Sequence, residues 1–380
     1  MKFSIDRDIL LDNLNMISHG LPVKSPMPIL TGIKMELTDT DLYLTSNNVD
    51  IAVEVLINDK SLEISERGKT VIPGKFFIDI IRKVNSKRIN FNLVEDRVLY
   101  INADKIEYKL NVMDYIDYPN IDFVTLENPL SLDSKLIQSI IKQTVFATST
   151  SEKKPILTGV NLSLKDRQLK CVATDSFRLS RKVINLDKDY REFNITIPAK
   201  SLDELAKSLD QSDENVDIYF SNNRLLFKFR NALFQTRLLE GDYPDTSKLI
   251  KADYPIVIKF NKDELLDAVG RVSLLSPYEK VTDREISYSI IKLQVKENKT
   301  IELSTTNTLI GDAREEIIPT ELNSDEQIKV GVSSRYLVEA LKTFKATEVS
   351  LNFVEENRPF CITSDKETDL TQLVLPIRLD

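Results

Sequence analysis

The chain has 380 residues, 42% of them hydrophobic, with 51 Lys and Arg against 59 Asp and Glu and a formal charge of −8 at pH 7. That length fits two to three domains of about 100–200 residues, each with enough apolar side chains for its own core. No apolar run approaches the roughly 18 residues of a membrane span. Met1-Lys2-Phe3-Ser4-Ile5-Asp6 reaches a charge too early for a signal peptide, and two cysteines with a single histidine argue against a disulfide or zinc framework.

From the N-terminus, Ile5-Asp6 reads as the end of a short strand and the N-cap of a helix. Leu10, Leu14 and Ile17 fall on one face of that helix, and His19-Gly20 ends it. Ile29-Leu30-Thr31-Gly32 then leads into alternating runs, Gly32-Ile33-Lys34-Met35-Glu36-Leu37 and Asp41-Leu42-Tyr43-Leu44, with Thr38-Asp39-Thr40 as the turn between them. Alternation with polar breaks predicts antiparallel hairpins. Val71-Ile72-Pro73-Gly74-Lys75 opens a second helix whose apolar stripe is Phe76, Phe77, Ile80, Ile81 and Val84, and three strand-like runs follow. Asp117-Tyr118-Pro119-Asn120-Ile121-Asp122 closes the segment with turn-forming residues.

The same order returns twice. Leu132, Asp133 and Ile137 repeat the strand, cap and helix, and Ile156-Leu157-Thr158-Gly159 repeats the approach to the sheet. Asn161-Leu162-Ser163-Leu164 and Gln168-Leu169-Lys170-Cys171-Val172 repeat the hairpin, and Thr196-Ile197-Pro198-Ala199-Lys200 repeats the second helix start, with Leu202, Leu205, Ala206 and Leu209 as its stripe. Gly241-Asp242-Tyr243-Pro244-Asp245 closes the second copy. Phe260, Asn261 and Leu265 open the third. Ile291-Lys292-Leu293-Gln294-Val295 and Thr300-Ile301-Glu302-Leu303 form its hairpin, and Gly331-Val332-Ser333-Ser334-Arg335 leads to the stripe Leu337, Val338, Leu341 and Phe344. These repeats predict an α+β fold of three repeated domains, each two helices on antiparallel sheets, with limits at 1–124, 125–251 and 252–380.

Net charge alone argues against a nucleic-acid partner, but the basic residues are not scattered. Lys75 and Arg82, Lys200 and Lys207, and Arg335 and Lys342 stand seven apart on the equivalent second helices, and seven residues make nearly two turns, so each pair shares a face. Equivalent basic faces suit a nucleic-acid backbone contacted without sequence readout. No phosphate-cradling or dinucleotide glycine motif occurs, and no second histidine accompanies His19 to make a general base or metal set. Asp312, Glu315 and Glu316 read as a solvated or salt-bridged face rather than metal ligands.

The run Val172-Ala173-Thr174-Asp175-Ser176-Phe177-Arg178-Leu179 resembles the signature loop in the middle domain of the bacterial sliding clamps, the beta subunits of DNA polymerase III. Glu240-Gly241-Asp242-Tyr243-Pro244-Asp245, Leu375-Pro376-Ile377-Arg378-Leu379, Met27-Pro28-Ile29-Leu30 and Lys154-Pro155-Ile156-Leu157 are similar to further landmarks of that family, in the same order. The resemblance implies the DNA-clamp fold closed into a ring as a head-to-tail homodimer, with helices lining the hole and sheets forming the rim. It implies a processivity factor, not an enzyme, without metal or cofactor, in the cytoplasm and away from membranes. Its partners would be encircled double-stranded DNA, the DNA polymerase III catalytic subunit, the clamp loader, and other replication and repair proteins carrying clamp-binding peptides.

Matched residue by residue, the resemblance implies a peptide-binding cleft of Leu157, Thr174, Ser176, Phe177, Arg178, Leu179, Pro244, Lys248, Leu249, Leu373, Leu375, Pro376, Ile377, Arg378 and Leu379. It adds Lys24 to the six helix residues as DNA contacts, and sets Tyr108 and Leu110, on an edge strand, against Leu274 and Leu275 of a second subunit. Phe177 and Lys248 stand where the family commonly has His or Tyr and Arg, and Asp380 adds a charge beyond the usual end. Independently of the family, Leu375-Pro376-Ile377-Arg378-Leu379 reads as a last strand whose proline confines it to an edge or an end. An acidic interaction scaffold of the same fold without DNA encirclement is the alternative reading.

Overall fold

Six α-helices lie among the described residues, two in each repeat: α1 (Arg7–Ser18), α2 (Gly74–Lys83), α3 (Ser134–Thr144), α4 (Ala199–Ser208), α5 (Lys262–Ser273) and α6 (Ser334–Leu341). The computed structural model describes residues 1–125, 128–209, 214–221, 223–251, 253–276, 278–280, 287–324 and 326–379, so Asp380 lies outside the described residues. The first helix of each repeat starts at the polar residue expected. Asp6 Oδ1 accepts the Asp8 N–H at 2.9 Å, Asp133 Oδ1 accepts those of Lys135 and Leu136 at 2.8 and 3.1 Å, and Asn261 Oδ1 accepts those of Asp263 and Glu264 at 3.0 and 3.2 Å. Each cap satisfies N–H groups that have no partner within the helix, which contributes about 1 kcal/mol. His19 caps the C-terminus of α1.

The second helices follow directly from strands ending at Pro73, Pro198 and Ser333. A proline there removes no hydrogen bond, because the first N–H groups of a helix are unpaired in any case. Helix α2 buries Phe77, Ile78 and Ile81, with Val84 buried just beyond, whereas Phe76 is 64% exposed. The expected stripe is therefore corrected at its first member. Positions 77, 81 and 84 follow helical spacing, and Phe76 turns away with Lys75, Asp79 and Arg82, all exposed. Leu202, Leu205 and Leu209, and Leu337, Leu341 and Phe344, are buried as the pattern requires.

All strand pairings named here are antiparallel, and the described residues fall into two compact units, residues 1–138 with 200–238, and 139–199 with 239–380. In the first, an eight-stranded sheet runs in the order Leu130–Asp133, Asn215–Ser221, Arg224–Phe229, Ala232–Arg237, Ile51–Ile57, Leu42–Asn47, Gly32–Leu37, Gly68–Pro73. Two sequence repeats meet inside it, where Ala232 pairs with Val55 and Thr236 with Ile51. A separate five-stranded sheet of this unit ends in Val98–Ala103 and then Ile106–Asn111, which is an outer strand.

The second unit repeats the arrangement. Its nine-stranded sheet runs Phe193–Pro198, Gly159–Lys165, Gln168–Thr174, Arg178–Asn185, Leu370–Val374, Phe360–Thr363, Glu348–Phe353, Ile256–Asn261, Glu321–Leu322. Again two repeats meet within it, Arg178 opposite Val374 and Leu179 opposite Leu373. Another sheet of this unit has Gly311–Ile317 as an outer strand. The last strand stops at Val374 and lies in the interior of its sheet, so the reading of Leu375–Leu379 as a strand is corrected, and of the two places open to the proline, an edge or an end, it lies past the end. A residue without an N–H cannot continue a ladder paired on both sides, and Pro376 sets the chain free of it.

Candidate binding surfaces

The loop between strands Gln168–Thr174 and Arg178–Asn185 is held by its own side chains. Thr174 Oγ1 donates to the Arg178 carbonyl at 2.6 Å, and Asp175 Oδ1 accepts the N–H groups of Phe177 and Arg178 at 2.9 and 3.0 Å. This forces Ser176 into the left-handed region at φ +80°, exposed at the tip. Arg178 turns inward and is 6% exposed. Its Nε donates to Asp175 Oδ2 at 3.0 Å, its Nη1 bonds Glu339 Oε2, and its guanidinium lies 4.4 Å from the Tyr336 ring centre and 5.2 Å from that of Phe146.

This is a buried cation between two carboxylates and two aromatic faces. Burial pushes the Asp175 carboxyl up, with Arg178 opposing. Burial also acts upward on Glu339, but hydrogen bonds from Arg178 and Arg335 outweigh it and hold that carboxyl below its ordinary value.

Behind the loop, Val172, Leu179, Cys361 and Leu373 form an apolar cluster with Tyr243, Ile250, Tyr254 and Leu375 packed against it. Thr174 donates its N–H to the Tyr243 hydroxyl at 3.0 Å, and Leu375 donates its N–H to the Phe177 carbonyl at 2.9 Å, which brings the C-terminal residues to the loop. Tyr254 donates its hydroxyl to Cys361 Sγ at 2.9 Å. Cys171 and Cys361 are free and buried, and burial pushes their thiols up to about 12 and about 11.

Of the cleft residues expected from the sequence, Leu157, Thr174, Arg178, Leu179 and Leu373 are buried. Phe177, Leu375, Pro376, Ile377 and Leu379 are half-buried, and Ser176, Pro244, Lys248, Leu249 and Arg378 are exposed. The cluster joins Leu179, Leu373 and Leu375, while Phe177 and Ile377 pack on the neighbouring core of the same unit. Sequence reasoning missed Tyr243, Ile250 and Tyr254, although Tyr243 stands inside a landmark it used.

Lys24, Lys75, Lys200 and Lys342 are exposed and carry no ion pair among the described residues. The other three cations are each tied to a carboxylate on their own helix: Arg82 to Asp79 at 3.5 Å, Lys207 to Glu204 at 2.7 Å and Arg335 to Glu339 at 2.9 Å. Such exposed pairs contribute little and yield readily to a stronger anion. Glu204 also accepts His19 Nδ1 at 2.8 Å. Tyr108 and Leu110 are half-buried on the outer strand Ile106–Asn111, Leu275 is half-buried, and Leu274 is 80% exposed just past α5. Glu315 forms a paired ion contact with Arg271 at 2.6 Å, and no group of possible metal ligands occurs among the described residues.

The family models for the DNA polymerase III beta subunit match in succession: N-terminal domain at residues 1–122, central domain at 131–245 and C-terminal domain at 247–378. The beta sliding clamp of Staphylococcus epidermidis is 36% identical over 383 residues, covering 100% of this chain and 99% of that protein. That of Staphylococcus aureus is 35% identical with the same coverage. Among solved structures, the DNA polymerase sliding clamp from Bacillus subtilis superimposes with a TM-score of 0.94 at 34% identity, each chain covered to 100%.

Proposed function

This chain belongs to the DNA polymerase III beta subunit family, the bacterial beta sliding clamps, and we propose that two copies close head to tail into a ring around duplex DNA. It is a DNA sliding clamp that serves polymerase processivity and is not an enzyme. The three domains are taken as 1–124, 125–251 and 252–380.

Strand pairing supports ring closure most directly. Repeat meets repeat twice inside the chain, each time through an antiparallel pair in a continuous sheet. The outer strands Ile106–Asn111 of the first repeat and Gly311–Ile317 of the third lack such a partner among the described residues. An unpaired edge is a template for another chain, and a contact between unlike edges makes a closed ring when the rotation allows.

Lys24 and the pairs Lys75/Arg82, Lys200/Lys207 and Arg335/Lys342 would face the encircled duplex. An acidic total with basic helix faces favours a threaded duplex while keeping DNA off the rest of the surface. The four cations without a carboxylate partner favour this reading over the scaffold. Clamps loaded on a nicked circle should stay bound at salt that abolishes direct binding to linear DNA, and leave when the circle is cut. Dissociation from closed circles as salt-sensitive as direct binding would exclude encirclement.

The cleft beside the Arg178 loop would take a short peptide with a Gln and spaced Leu and Phe from the polymerase, the clamp loader and other replication and repair proteins. Buried Leu179 and Leu373 form its floor, and half-buried Phe177, Leu375 and Ile377 and exposed Leu249 form the walls that can touch a guest. Removing residues 377–380 should weaken a Gln-x-x-Leu-Phe peptide at least about thirtyfold, the loss of one anchor of ~2 kcal/mol. Fluorescence anisotropy reads the affinity, native mass confirms the dimer, and unchanged affinity would remove the tail from the site. Among the described residues no helix is long and apolar enough to cross a membrane, and a cytoplasmic location follows from the replication role.

A further inference from the structure

Next to the C-terminal residues, the third-repeat sheet carries ammonium groups without matching carboxylates. Strands Ser287–Val295 and Lys329–Ser333 pair so that Lys292 lies opposite Gly331 and Gln294 opposite Lys329. Ile291, Leu293, Val295, Val330 and Val332 turn into the core, so alternation sends Lys292 and Lys329 to the other face together. The near carboxylate is Glu302, 5% exposed, and it is held by Lys296 at 2.9 Å and Arg314 at 3.6 Å. Glu356 is engaged by the Lys329 backbone N–H at 2.8 Å. Lys292 and Lys329 have no ion pair of their own among the described residues. Burial, then the neighbouring Lys329, push the Lys292 ammonium below its ordinary value against the pull of Glu302.

The patch adjoins the tail. Ile377 donates its N–H to the Gly331 carbonyl at 2.8 Å, and a Cβ at Gly331 would lie 2.4 Å from the Ile377 carbonyl oxygen and 2.9 Å from Leu379 Cδ2. Only glycine lets the tail approach so closely, and it leaves Lys292 across the strand pair from the residues that wall the cleft.

We infer that Lys292 and Lys329 form a docking rim for acidic residues that flank a peptide held in the cleft. The inference rests on the cleft reading above. Two crowded ammonium groups gain from an incoming carboxylate, and the rim would add an electrostatic preference to the apolar anchoring.

Two labelled peptides with the same Gln-x-x-Leu-Phe core, one with three Asp on either side and one with three Ser, decide the matter on the full-length protein. The Asp-flanked peptide should bind about three- to tenfold tighter at low salt, as two exposed charge pairs allow, with the advantage fading as salt rises. The Lys292→Gln, Lys329→Gln variant should lose that advantage and bind the Ser-flanked peptide as before. Equal affinities for the unaltered protein, an advantage that survives in the variant, or a variant whose only defect is duplex retention would each overturn the rim. If neither peptide binds the unaltered protein, the cleft reading itself fails and the rim with it.

Discussion

Replacing Arg178 with alanine should cost about 3–5 kcal/mol of stability, the loss expected when one member of a buried ion pair is removed and the other left uncompensated. Asp175 and Glu339 would then face each other's charge without the guanidinium, and the faces of Phe146 and Tyr336 would lose their cation. Chemical denaturation followed by circular dichroism or tyrosine fluorescence measures it, the chain having no tryptophan. Arg178→Met combined with Asp175→Asn and Glu339→Gln should recover most of the loss, because no charge then stays buried. A cost under about 1 kcal/mol for the single change would mean that the cluster behaves as a surface pair.

The Leu274→Asp, Leu275→Asp variant should be monomeric at micromolar concentration by light scattering, since charge placed in a subunit seam costs several kcal/mol. Leu274 is 80% exposed in the single chain and so is open to being covered by a second subunit. Charge on the two outer strands proposes the alignment. Glu107 and Lys109 share one face of Ile106–Asn111, and Asp312 and Arg314 share one face of Gly311–Ile317. The antiparallel alignment that sets Glu107 against Arg314 also sets Lys109 against Asp312. Arg314→Glu should therefore weaken the dimer, and Glu107→Arg in the same chain should restore it. A double-Asp variant that remains dimeric removes these leucines from the seam.

Local chemistry was legible and long-range chemistry was not. Asp6, Asp133 and Asn261 announce their helices because a cap acts within three residues. Phe76 misled because a helix stripe read from composition takes in any adjacent aromatic, and only packing decides which of Phe76 and Phe77 points inward. At the Arg178 loop, Asp175 was within reach of sequence reasoning, three residues away. Glu339, Tyr336 and Phe146 were not, since the fold brings them in from other elements. Pro376 marks a residue that a ladder rejects, but nothing local in the sequence says that the ladder ends just before it, in mid-sheet.

The place of strand Leu370–Val374 also sets an order of events during synthesis. The first unit has all its strands once residue 238 has emerged, whereas the nine-stranded sheet waits for residues 370–374. Until then Arg178–Asn185 is a strand with one side unpaired, and Leu179 lacks the Leu373 that will lie opposite it. A nascent or prematurely terminated chain thus offers a β-edge and apolar residues to any neighbour, the usual route to misassembly in large sheets. Of the two units, only the first can complete its sheets while residues 239–374 are still to be made.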